Sequence, residues 1–138
     1  MITLQVGVKV FLKNPEGKFL LVKRNTEKYK NVSGVWDIVG GRIEPGTTLI
    51  ENLRREVKEE TGLEIISEPK LLAAQDIIPN EEKHIVRLSY VAETKGEPVL
   101  DTSENVDFKW LSMGEMKSLP DLDKYVKEVL DRNMLLNL

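Results

Sequence analysis

The stretch from Gly40 to Leu63, GGRIEPGTTLIENLRREVKEETGL, constrains this chain more than any other. It opens as a glycine-bounded loop and continues as a strongly acidic helix. Thr48 followed three residues later by Glu51 is a capping-box pair, which predicts the helix start. Gly62 supplies the left-handed residue that commonly follows a last helical turn. Leu49, Ile50, Leu53 and Val57 recur at helical spacing and form one apolar face. Glu56, Glu59 and Glu60 share an arc of about 100° beside that face. Arg55 lies one turn before Glu59 on its flank.

Three carboxylates so close repel one another, by a few tenths of a kcal/mol per i,i+4 pair on an open helix and by more where water is excluded. Two readings follow. The bland one is a solvated acidic face, partly neutralised by Arg54, Arg55 and Lys58. The sharper one is a seat for a hard divalent cation, Mg²⁺ or Mn²⁺, which oxygen ligands suit and which relieves the repulsion.

The spacing of Gly41, Arg55, Glu56, Val57, Glu59, Glu60, Gly62 and Leu63 resembles the Nudix box, G-x5-E-x7-R-E-U-x-E-E-x-G-U with U aliphatic. One position departs: Thr47 stands where the family carries glutamate, and Glu44 or Glu51 is the available substitute. The resemblance implies an α/β fold, a Nudix-type α/β/α sandwich with a mixed β-sheet between helices. It also implies divalent-metal-dependent hydrolysis of a phosphoanhydride in a nucleoside diphosphate linked to another moiety. On that basis Glu56, Glu59 and Glu60 and the Gly40 carbonyl are the expected metal ligands, and Arg55 orients Glu59 or its neighbour. The general base is Glu56, Glu59 or, from a later loop, Glu104. Arg24, at the end of the first hairpin, is a candidate phosphate contact or a solvated loop arginine; Tyr29 and Gly41 complete the expected substrate side.

The family resemblance also bears on substrate. Pro79 falls sixteen residues past Leu63, where ADP-ribose-cleaving members carry proline. ADP-ribose is therefore placed slightly ahead of a (deoxy)nucleoside triphosphate such as oxidised dGTP, with dinucleoside polyphosphates behind. Pro79-Asn80 is equally an ordinary turn at a strand end. A Nudix-fold binding or regulatory module that no longer cleaves is the alternative, and Thr47 is its support.

Composition narrows the chemistry further. The 138 residues fit one domain, 1–138, and contain no cysteine and a single histidine, His84. Disulfides, thiolate zinc sites, cysteine nucleophiles and multi-histidine metal sites are thereby excluded. A net charge of −3 without a basic run argues against a nucleic-acid polymer as partner. No apolar run approaches the roughly 20 residues of a membrane helix, and the opening MITLQVGVKVFL reads as a strand rather than a signal peptide. The expectation is a cytoplasmic protein, monomer or homodimer, with a small nucleotide as its ligand and no membrane partner.

The remaining chain reads mostly as strands. Gln5–Leu12 and Phe19–Lys23 flank an Asn14-Pro15-Glu16-Gly17 turn. Trp36 to Gly41 is expected as one short strand leading into the box, with Trp36 a core anchor. Glu64 to Ile78 offers one or two strands broken at Pro69, His84 to Glu93 another, and Asn105 to Leu111 a last one. A short helix over 112–119 and a final helix over 121–136 close the chain, the latter burying Leu122, Tyr125, Val126, Val129 and Leu130.

Overall fold

The computed structural model describes residues 1–28 and 34–135. Its first strand, β1 (Thr3–Lys13), places Val8, Val10 and Leu12 in the core on one side and Phe11 on the other, as period-two alternation requires. At the turn the Asn14 side chain accepts from the amides of Glu16 and Lys18, and Gly17 takes a positive φ of 80°. The chain then returns as β2 (Phe19–Arg24).

The two strands separate almost at once, the register Lys13↔Phe19 being their recorded pairing. The segment expected as one strand fills the resulting fork. Its first half, β3 (Trp36–Asp37), pairs with β2, and its second half, β4 (Val39–Arg42), pairs antiparallel with β1. The expectation of one continuous strand is corrected here. Ile38 is the crossing point, because a straight strand cannot pair with two neighbours that diverge.

After the box helix, α1 (Leu49–Thr61), come β5 (Lys70–Asn80), β6 (Lys83–Glu93) and β7 (Asn105–Leu111). Strand β6 runs parallel to β1 from Thr3↔Lys83 to Lys13↔Glu93, whereas the other pairings are antiparallel. The seven-stranded sheet is therefore mixed, with the main order β3-β2-β1-β6-β5. One core, including Val8, Val10, Val39, Leu53 and Val57, lies under α1. The other, including Phe11, Trp36, Ile38, Met116, Val126 and Val129, lies under α2 (Met113–Lys117) and α3 (Lys124–Asp131). The expected mixed sheet between helices is present.

Three further boundaries differ from the sequence reading. Residues 64–66 form no strand, and β5 begins after Pro69 as a single element. Pro79 lies inside β5 at a register irregularity between Ile77 and Asn80, on the outermost strand of the main order, where a residue without an amide proton is tolerated. The last helix starts later than expected: Asp121 adopts a φ of 63°, and the Asp123 side chain caps the amides of Tyr125 and Val126. Leu122 is buried ahead of the helix. Among the described residues no helix is long and apolar enough to cross a membrane.

Candidate active site

The approach to α1 is built by short-range hydrogen bonds. Thr47 donates its amide to the Glu44 carbonyl across Pro45-Gly46, with Gly46 at a φ of 88°, the positive angle a type II turn needs at that position. Thr48 Oγ1 accepts from the Glu51 amide at 3.1 Å, and the Glu51 carboxylate accepts from the Thr48 amide at 3.2 Å. Gly62 closes the helix at a φ of 71°, donating to the Lys58 carbonyl. Leu53 and Val57 are wholly buried and clamp the helix on β1 and β4. This seating brings the carboxyl-bearing side of α1 against the Gly40-Gly41 backbone.

Glu60 is the most enclosed of the three carboxyls, at 9% exposure. Its Oε2 accepts from the Gly40 amide at 3.1 Å and its Oε1 from the Asn105 amide nitrogen at 3.1 Å. Burial pushes its pKa up to about 7, with the charge of Glu56 and a hydrogen bond between the two carboxyls adding to the effect. The ammonium of Lys9 and the Asn105 amide pull the other way.

Gly40 and Gly41 are required for clearance. A Cβ on Gly40 would lie 2.0 Å from the Val8 carbonyl oxygen, and its φ is 145°. A Cβ on Gly41 would lie 2.6 Å from Glu56 Oε2. Gly41, expected on the substrate side, thus makes room for a carboxylate. Because the obstructing atom is the end of a flexible side chain, Gly41→Ala should leave stability within about 1 kcal/mol of wild type while displacing Glu56. Misplacement of a reacting group by about 1 Å costs on the order of 10²-fold in rate, so kcat should fall by that order. Equal melting temperatures with a large kcat loss would bear this out; wild-type kcat would show that Glu56 does not need its observed position.

Arg55 knits the outer carboxylates. Its Nη1 donates to Glu56 Oε1 at 2.9 Å and Glu59 Oε2 at 3.3 Å, and its Nη2 to Asn52 Oδ1 at 2.9 Å. Burial lowers the Arg55 pKa, but Glu56, Glu44 and Glu59 outweigh it, so the guanidinium is held charged. Glu44 Oε1 stands 3.8 Å from the same Nη1. Of the two substitutes for the glutamate absent at Thr47, Glu51 is committed to the helix cap and Glu44 approaches the guanidinium that bridges Glu56 and Glu59. The buried Asn52 joins them, accepting from the Glu44 amide and donating to Thr47 Oγ1.

The geometry thus gathers Glu56, Glu60 and Gly40, with Arg55 bridging Glu56 to a largely exposed Glu59. Among the described residues no three acidic or histidine side chains converge as a ready metal cage, since Glu59 is turned to Arg55. The donor set nonetheless fits a hard divalent ion. It is all oxygen, and two carboxyls are pressed together against the Gly40-Gly41 backbone, a pairing that a cation relieves.

Two further expected site residues, Arg24 and Glu104, are held in ion pairs. Arg24 donates to Asp37, to Asp123 at 3.3 Å and to the Gly34 carbonyl at 3.3 Å. Its guanidinium is thus built into a buried ionic cluster. Glu104 takes the Lys28 ammonium at 2.5 Å, and its neighbour Asn105 is the residue that reaches Glu60. Tyr29 lies outside the described residues. His84 pairs with Asp76 at 2.7 Å.

Sequence reasoning missed the cluster itself. Asp37, 1% exposed, is met by Lys9 from β1, Arg24 from β2 and Arg87 from β6, and Asp123 faces the two arginines. Burial alone would raise the Asp37 pKa, but Arg87, Lys9 and Arg24 hold it well below the usual carboxylate range. A lysine and an arginine in the middle of otherwise apolar strands were the available signal, because such residues are seldom buried unpaired.

A glycine turn, a capped acidic helix and paired carboxyls on a mixed sheet define a class of hydrolase that works on diphosphates. Residues 3–132 match the NUDIX domain, and the chain belongs to the Nudix family of hydrolases. It is 34% identical over 110 residues to a Bacillus subtilis (strain 168) protein provisionally described as an 8-oxo-dGTP diphosphatase, covering 80% of this chain and 68% of that one. It is also 34% identical over 109 residues to the 8-oxo-dGDP phosphatase NUDT18 of Mus musculus, covering 79% of this chain but 31% of the mouse protein. The crystal structure of a MutT protein from Methanosarcina mazei Go1 shares the fold, with a TM-score of 0.81 at 23% identity over 99% of this chain and 96% of that one. The protein is a hydrolase acting on nucleotide derivatives, in a family that generally uses divalent metal ions.

Proposed function

We propose that this protein hydrolyses the phosphoanhydride of an oxidised (deoxy)guanosine di- or triphosphate, using Mg²⁺ or Mn²⁺. The observation that carries the hydrolytic reading is the pairing of Glu56 and Glu60 beside Gly40, with Arg55 holding Glu56 and Glu59 together. Bound at these residues, a divalent ion supplies the positive charge that a diphosphate needs in an acidic site, and it acidifies water. Glu56, Glu60 and Glu59 are the side chains that would hold it, together with the Gly40 carbonyl. Arg55 keeps Glu56 and Glu59 in place as outer-sphere partners of metal ligands do. Water attacks phosphorus, Glu56, Glu59 or Glu104 takes its proton, and the bridging P–O bond breaks so that the other phosphate leaves with the electron pair.

Two relatives whose descriptions name 8-oxo-dGTP and 8-oxo-dGDP support this substrate. The case for ADP-ribose rested on Pro79, which has a structural reason to be where it is, on an outermost strand at a break in register. Oxidised guanine nucleotides therefore move ahead of ADP-ribose. The non-cleaving alternative draws on Thr47, and Glu44, 3.8 Å from Arg55, favours cleavage over it.

A phosphate- and pyrophosphate-release panel with Mg²⁺ tests the reading, using 8-oxo-dGTP, 8-oxo-dGDP, dGTP and ADP-ribose. The expected result is the highest kcat/KM on an 8-oxo nucleotide. Higher kcat/KM on ADP-ribose would overturn the substrate, and thermal stabilisation by every nucleotide without product would overturn hydrolysis.

A further inference from the structure

The Lys9 side chain lies where β1 pairs with β4, in register with Gly40. Its ammonium makes three close polar approaches: Asp37 Oδ2 at 3.1 Å, the Ile38 carbonyl at 3.3 Å and the Gly40 carbonyl at 3.3 Å. An ammonium has three donors, so each has a partner. Gly40 is thereby held from both ends, its amide on the Glu60 carboxyl and its carbonyl on Lys9. The group is 18% exposed, so water screens its charge poorly.

Among the described residues the buried cluster also has a charge imbalance. Lys9, Arg24 and Arg87 bring three positive charges to the two carboxylates of Asp37 and Asp123. Both arginines reach both carboxylates, whereas Lys9 turns two of its three donors to the backbone of residues 38 and 40. Lys9 therefore carries its positive charge onto the Gly40 carbonyl, 3.3 Å away.

We infer that Lys9 is a resident cation at the Gly40–Glu60 seat. It offsets the paired carboxyls when no metal is bound and weakens the hold on any divalent ion that enters. The inference rests on the metal-dependent reading above. An ion on the Gly40 carbonyl would share that oxygen with the ammonium, and two like charges a few ångströms apart in a poorly screened site repel by several times the thermal energy. Lys9 is thus a positioning residue that sets ion affinity.

Direct binding of Mn²⁺, followed by loss of the free-ion electron paramagnetic resonance signal, provides a readout independent of turnover. Wild type, Lys9→Met, Lys9→Arg and Glu60→Gln are compared. Lys9→Met should tighten Mn²⁺ binding at least tenfold and lower the melting temperature in EDTA. Lys9→Arg, which keeps the charge, should bind within about threefold of wild type. Should Lys9→Met not fold, Lys9→Gln keeps a donor for Asp37 and carries the same expectation of tighter binding.

Neutral variants that bind Mn²⁺ no more tightly than wild type would overturn the role of Lys9 and leave the metal site standing, provided that Glu60→Gln still weakens binding. Wild type that binds no Mn²⁺ would overturn the metal reading, and the inference with it. Equal tightening in Lys9→Met and Lys9→Arg would overturn the charge argument in favour of a packing effect.

Discussion

Replacing Glu60 with glutamine is expected to reduce kcat by at least about 10²-fold, the upper range for losing even an outer-sphere partner of a metal ligand, while the protein stays folded. Both carboxyl oxygens accept N–H donors, one from Gly40 and one from Asn105. Glutamine keeps one acceptor and replaces the other with an NH₂. If that NH₂ faces Asn105, the asparagine can turn its amide over and present its oxygen, so no donor need be stranded. What cannot be recovered is the negative charge beside Glu56, which is what a divalent ion requires. Turnover of 8-oxo-dGTP and the melting temperature, measured on the same preparation, separate loss of function from loss of fold. Turnover within about twofold of wild type would remove Glu60 from the machinery.

The second large effect concerns stability. Asp37→Asn should destabilise the protein by about 3–5 kcal/mol, the usual result of removing one partner from a buried ion pair. Three cations converge on this carboxylate, and its Oδ1 also accepts from the Ile38 amide at 2.8 Å. Neutralising it leaves Lys9, Arg24 and Arg87 with Asp123 as the remaining carboxylate of the cluster.

The pH dependence has a definite sign. The Asp37 pKa is depressed in the folded protein, so its stabilisation is present above the ordinary carboxylate range and is lost as pH falls through the folded value. Denaturant titrations at neutral pH and in acid should therefore show wild type well above the variant at pH 7, with the gap narrowing in strong acid. A gap that stays constant with pH would mean that the loss is one of shape and not of charge.

How much of this was legible beforehand varies with the range of the interactions. The box helix was legible at both ends because the Thr48–Glu51 cap and Gly62 are local signals, and the structure places both where they were read. The bonds of Arg55 to Glu56 and Glu59 are likewise local, since they follow from spacing on one helix. The fork at residues 36–42 was not legible, because it depends on how β1 and β2 separate, a tertiary fact. Arg24 reads from sequence as a candidate phosphate contact or a solvated loop arginine because nothing local to it reveals Asp123, ninety-nine residues away. Lys9 and Arg87 interrupt apolar strands and announce burial with a partner, but only the parallel pairing of β1 with β6 brings them to the same carboxylate. Asn105 was hidden for the same reason: its role depends on β7 reaching Glu60.

The crossing at Ile38 has a consequence for anyone who would redesign this enzyme. Asp37 and Gly40 are three positions apart, yet one anchors the charge network under α3 and the other borders the carboxyls of α1. A shift of the peptide between them transmits to both sides of the sheet together. Residues 36–40 are therefore best treated as a fixed keystone, and changes of specificity are best sought on surfaces that do not lean on it.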